Sequence, residues 1–208
     1  MQTLPRAAWE VRVETVTSTF VAAGTPVAIH DLGRFLEHLN SGALGGQIEL
    51  HDATVRPLYR ASRPVQLDAP VIVRREQTVF ANFEGPYFTR GSVRPPRVDA
   101  PVLLLAPPFQ IRGVVAFEPE ADRTQALRAH LHRFFVVRDA RVYDADGNEL
   151  GQGEQIVVNG AAVQMVSATA LHIPALAARP AARDAAQPQQ EHAPAEEAPA
   201  SEEAARAA

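Results

Sequence analysis

The stretch Ile48-Glu-Leu-His-Asp52-Ala53-Thr-Val55 returns 87 residues later as Phe135-Val-Val-Arg-Asp139-Ala140-Arg-Val142. The match extends in both directions. Phe20-Val-Ala-Ala-Gly24 returns as Phe109-Gln-Ile-Arg-Gly113, and Val71-Ile-Val73 as Ile156-Val-Val158. Self-similarity at a nearly constant offset is the signature of duplicated units, with loop insertions and deletions accounting for the drift. The expected organisation is a first repeat at 9–84, a linker at 85–99, a second repeat at 100–173 and a tail at 174–208.

Within each repeat the hydrophobic pattern alternates as a half-buried strand does. In the first, Val11, Val13 and Val16 alternate with Arg12 and Glu14. A second strand is expected at 20–29, bent at Gly24. Asp31 is placed to cap a helix over 32–40, in which Leu32, Phe35, Leu36 and Leu39 fall at helical spacing. Strands follow at 47–58, 70–74 and 78–83. The second repeat reads the same way: strands at 102–106 and 109–117, a helix capped by Asp122 and running to His132 with Leu127 and Leu131 on its buried face, then strands at 134–143, 155–158 and 163–167. A five-stranded sheet this short must cover its apolar face by curling. The fold class expected is therefore mainly β, with one short helix per repeat and two tandem five-stranded barrels. From residue 174 the chain is Ala, Pro, Glu, Gln and Arg, which have little to bury, so this tail is expected to be disordered.

Composition removes several kinds of chemistry. The 208 residues include no cysteine, which excludes disulfides, thiolate metal sites and cysteine nucleophiles. All 20 basic residues are arginine. The missing lysine excludes a phosphate-gripping P-loop lysine and Schiff-base chemistry. The net charge is −4, most of it in the tail, so the body is near neutral and has no global field to steer a polyanion. No apolar run reaches the length of a membrane helix, and Met1 to Trp9 lacks the apolar core of a secretory signal. The expected location is the cytoplasm of a bacterium, without membrane association.

The run Ile156-Val-Val-Asn-Gly-Ala-Ala-Val163-Gln-Met-Val166 resembles the closing hairpin of Sm-like small barrels, and Gly24 and Gly113 resemble the glycine of their second strand. The resemblance implies a small-barrel fold for each repeat. The helix departs from that family's pattern, because it lies between strands two and three rather than before strand one. The Asp and Asn of the family's uridine pocket have no match here. The order of elements is closer to an uncharacterised family of small bacterial domains with similar barrel-like topology. No catalytic residue comes across with either resemblance.

The remaining motifs favour structure over chemistry. Asp144-Ala-Asp146-Gly147-Asn148 is similar to the start of a calcium loop, but Glu149 stands where the loop needs glycine and Gln155 where it needs Glu. A polar hairpin turn is the better reading. The glycines at 42–46 and 147–153 precede strands rather than a helix, against a phosphate cradle. His130 and His132, two apart on a helix, point to different faces and cannot share a metal. His38 and His51 are isolated. The recurring Asp52-Ala53 and Asp139-Ala140 read as a structural pair, each Asp bonding a neighbouring loop beside a small, closely packed Ala.

One charge feature stands above background. Residues 56–97 hold eight Arg against Asp68, Glu76 and Glu84, interleaved with Tyr59, Phe80, Phe83, Tyr87 and Phe88. Arginines and aromatics together grip phosphates and stack bases. Arg56, Arg60, Arg74, Arg75, Arg90, Arg94 and Arg97 are the candidate nucleic-acid contacts. The sequence reading expected first is a non-enzymatic interaction or assembly protein, with a protein partner or self-association at exposed strand edges. Nucleic-acid (RNA) binding through 56–97 is the alternative. No catalytic, cofactor or metal residue is expected.

Overall fold

The computed structural model describes residues 11–41, 46–59, 63–86 and 97–168. The expected 174–208 tail and most of the 85–99 linker lie outside them. In chain order the elements are β1 (Arg12–Thr17), β2 (Phe20–Pro26), α1 (Leu32–Asn40), β3 (Gln47–Pro57), β4 (Val65–Gln66), β5 (Val71–Arg74), β6 (Thr78–Glu84), β7 (Val98–Ala106), β8 (Phe109–Phe117), α2 (Arg123–His130), β9 (Phe134–Tyr143), β10 (Glu149–Asn159) and β11 (Met165–Ser167). Single 3₁₀ turns, Arg75–Gln77 and Gly160–Ala162, precede β6 and β11. Neither α-helix is long and apolar enough to cross a membrane.

Both helices start where their caps dictate. The Asp31 carboxylate accepts from the Arg34 N–H at 2.8 Å, and Asp122 accepts from Thr124 and Gln125 at 2.8 and 3.1 Å. Each satisfies N–H groups that the first turn leaves without partners. Leu32, Phe35 and Leu39 of α1 are buried, with the Phe35 ring stacked on Phe83. The second helix is shorter than expected. It ends at His130, and Leu131 becomes its half-buried C-terminal cap. The short β4, inside a proline-bounded loop, was not expected.

The largest difference is in closure. Instead of two separately closed barrels there is one antiparallel sheet of eleven strands, in the order β11-β7-β8-β9-β10-β6-β1-β2-β3-β4, with β5 also paired to β3. The sheet is continuous because β6 of the first half pairs with β10 of the second: Asn82 with Ile156, Ala81 with Val157 and Phe80 with Val158. Two apolar cores result. Phe80, Ile156 and Val158 belong to one, while Ala81, Phe83 and Val157 belong to the other. Successive strand residues point to opposite faces, so at this junction the two cores lie on opposite sides of the sheet. Strands buried on both faces read as continuous apolar runs rather than alternations, which is what Ile156-Val-Val is.

The two halves share one local device. The pairing of β2 with β3 shifts register beside Gly24, and that of β8 with β9 shifts beside Gly113. At the bulges Asp52 has φ +48° and Asp139 φ +47°. Asp is among the few non-glycine residues that enter this left-handed region at tolerable cost. The neighbouring Ala53 and Ala140 are buried against the two glycines. A Cβ on Gly24 would lie 2.6 Å from the His51 carbonyl oxygen, and one on Gly113 would lie 2.5 Å from Val137 Cγ1 and 2.7 Å from the Arg138 carbonyl oxygen. The recurring Asp-Ala pairs are therefore structural as expected, but by backbone conformation: each Asp is the turning point of a bulge.

Gly24→Ala and Gly113→Ala should each destabilise the fold by about 1–3 kcal/mol, because the backbone opposite has nowhere to move. Asp139→Gly should leave stability unchanged or higher, whereas Asp139→Val should lower it by about 1–2 kcal/mol. Urea midpoints of the four variants test this. Equal losses for Asp139→Gly and Asp139→Val would show that the carboxylate, not the backbone, is what matters there.

Candidate functional site

Of the sequence candidates, the described ones, Arg56, Arg74, Arg75 and Arg97, do not line one hollow. Arg56, on β3, borders a hollow with Leu58, Phe80 and Leu150. Arg74 ends β5 and ion-pairs with Glu76. Arg75 donates from Nη1 to the Leu39 and Ser41 carbonyl oxygens at 2.8 and 3.4 Å, satisfying the C-terminal end of α1. Arg97 donates to the Ala116 carbonyl at 3.5 Å and borders a different hollow from those of Arg56 and Arg75. Arg60, Arg90 and Arg94 lie outside the described residues, as do Tyr87 and Phe88. Phe80 and Phe83 are buried in the cores, which leaves Tyr59 as the exposed aromatic among the described members of this stretch.

The Asp144 loop is a hairpin turn. Its carboxylate accepts from the Asp146 and Asn148 N–H groups at 2.9 and 2.8 Å and from the Asn148 side-chain amide at 2.9 Å. These donors hold its pKa below the ordinary value. Among the described residues, no three His, Asp or Glu side chains gather in a metal-holding group.

Two features of the fold stand out as candidate sites: exposed edges, which the sequence reading expected without saying which strands carry them, and a cleft that it did not foresee. The first is a pair of sheet edges. Among the described residues β5 pairs only with β3, and β11 only with β7. Each edge carries an exposed apolar residue: Ile72 is 58% exposed and Met165 59%. β10 and β6, by contrast, pair with each other inside the chain.

The second is a cleft where the end of α1 meets the start of β9. The Asn40 side chain clasps the Phe134 backbone, accepting from its N–H at 2.8 Å and donating to its carbonyl at 3.0 Å. His130, from the last turn of α2, lines the cleft with Arg97, Arg133 and Arg138. Its ring stacks on Phe135 at 5.0 Å between centroids and lies 5.8 Å from Phe117. Arg133 Nε donates to His130 Nδ1 at 3.4 Å. Burial, then the nearby charges of Arg133 and Arg97, push the His130 pKa down to about 4. At neutral pH the ring is uncharged. His132, read from the sequence as lying on the same helix, stands beyond its end and borders a different hollow, and nothing in the sequence placed three arginines around His130.

The depressed pKa of His130 fixes the sign of a pH dependence. The unfolded chain protonates this histidine near its ordinary value of 6.5, while the folded chain resists until about 4. The native state therefore binds fewer protons across that window, and stability should fall as the pH drops from about 6.5 to about 4. His130→Phe keeps an aromatic ring and removes the titration, so its stability should vary less over the same range. Urea midpoints at several pH values read the difference, and an NMR titration of the His130 ring should give a midpoint near 4.

No family model, no curated protein and no solved structure matches this chain.

Proposed function

We propose that this chain is a non-enzymatic assembly protein, built from two copies of one five-stranded, Sm-like unit, which joins copies of itself edge to edge. The observation that carries the reading is the β6·β10 pairing. Taken by halves, and with the two-residue β4 that also pairs with β3 set aside as an insertion, the strand orders are β6-β1-β2-β3-β5 and β11-β7-β8-β9-β10. In both, the helix falls between the second and third strands of the half, and a 3₁₀ turn precedes the last. The matching bulges at Asp52 and Asp139 support the same correspondence.

Under this correspondence β5 is the counterpart of β10, and β11 the counterpart of β6. The chain already joins one β10-type edge to one β6-type edge internally. It leaves one of each at the ends, bearing Ile72 and Met165. A second copy presents the complementary edge. The internal register carries over directly: as Phe80 pairs with Val158 and Ala81 with Val157, Met165 of one copy pairs with Val73 of the next, and Val166 with Ile72. Unpaired edges with exposed apolar residues are templates for strand addition. Such a contact is head-to-tail, so it closes into a ring or runs on as a filament.

Light scattering coupled to size exclusion tests the reading. The wild-type chain should form species larger than a monomer as concentration rises. Ile72→Lys and Met165→Lys should each be monomeric, because a charge then sits in the joint. Each variant keeps one intact edge, and the two intact edges are complementary. An equimolar mixture should therefore give a heterodimer and stop there. A wild-type monomer at every concentration, or a mixture of the variants that stays monomeric, overturns the proposal.

A further inference from the structure

The cleft beside His130 has the chemistry of an anion site. Its volume is about 220 Å³. Three guanidinium groups line it, and they arrive from separate segments: Arg97 from just before β7, Arg133 from the turn between α2 and β9, and Arg138 from within β9. Asp99 ion-pairs with Arg138, so these four side chains leave a surplus of two positive charges. The neighbouring imidazole adds none, since it is held neutral. Arg138 Nε is buried, and no acceptor among the described residues reaches it. A buried donor left without a partner is costly, about 1–3 kcal/mol, so the ion pair with Asp99 does not fully satisfy this guanidinium. The floor is apolar, formed by Val115 with the buried Phe134 and Phe135.

We propose that this cleft binds the phosphoryl group of a small phosphate monoester, with Arg97, Arg133 and Arg138 as its donors. The charge count and the geometry both select phosphate over carboxylate. A single guanidinium fork satisfies a planar carboxylate. Three forks from separate segments match a group with several oxygens pointing in different directions, and a phosphate monoester carries close to two negative charges at neutral pH. The apolar floor offers a seat for a short organic part of the ester. The site is independent of the sheet edges, so it stands or falls apart from the assembly reading.

Amide and histidine NMR shifts of the full chain, recorded at constant ionic strength against chloride, test the proposal with two probes: inorganic phosphate and glycerol phosphate. Both should cause saturable shifts at His130, Arg133 and Phe134. Tighter binding of glycerol phosphate assigns a role to the apolar floor; equal binding assigns the site to the phosphoryl group alone. Arg133→Gln, at an exposed position, should weaken binding at least tenfold without unfolding the chain, and Arg138→Gln should do the same if it folds. Arg56→Gln, in a different hollow, should change nothing. The proposal fails if the shifts do not saturate, or if Arg133→Gln leaves the affinity as it was.

Discussion

The antiparallel contact between β6 and β10 is the constraint on which the rest of the structure depends. It brings into register two strands that must be buried on both faces, and it makes each core incomplete without the other half. Val16, Val21, Val79 and Phe80, from the first half, pack with the second-half core. Phe134 and Val157, from the second half, pack with the first-half core. Ile156, Val157 and Val158 are fully buried, each contributing about 1.5–3 kcal/mol of apolar burial. Polar clasps lock the same seam. Asn40 holds the Phe134 backbone, and Asn159 donates to the Thr78 carbonyl oxygen at 2.9 Å where β10 meets β6. With cores and clasps shared in this way, the halves have little reason to unfold separately.

The bulges serve a different purpose. A sheet of eleven antiparallel strands needs sharp local twist to wrap two cores on opposite faces, and a bulge supplies it at a defined position. The device needs three residues at once. A glycine lets the backbones approach, a residue that tolerates positive φ turns the chain, and a small side chain fills the gap beneath. Gly24, Asp52 and Ala53 form one set, and Gly113, Asp139 and Ala140 the other. The carboxylates of Asp52 and Asp139 are exposed, and the bulges account for both recurring acids through their backbone conformation.

Local structure was the legible part of the sequence. The caps at Asp31 and Asp122, the helical spacing of Leu32, Phe35 and Leu39, and the strands 109–117 and 134–143 follow from forces acting within a few residues. The joining of the halves did not follow, because it depends on which strand edge meets which. That choice is made across roughly 75 residues of chain and leaves no periodic trace. The candidate site was less legible still. Among the described arginines of 56–97, Arg56, Arg75 and Arg97 border different hollows, and Arg75 is consumed by the end of α1. Arg97, Arg133 and Arg138, which line one hollow, belong to segments on either side of α2, so only tertiary packing brings them to it.

The runs Val71-Ile-Val73 and Ile156-Val-Val158 carry the same pattern to different surroundings. The central residue of the second, Val157, is fully buried in the β6 junction; the central residue of the first, Ile72, stands in solvent. Burial within one chain explains an apolar residue at Val157 and offers no reason for one at Ile72. An exposed edge strand is ordinarily protected by charge or proline at such a position, since an apolar side chain there invites unwanted pairing. Arg74, at the end of the strand, is directed to Glu76 rather than across the edge. Pro70 and Arg74 flank Ile72 without covering it; under the proposed assembly, a joint between copies is what accounts for an apolar residue there.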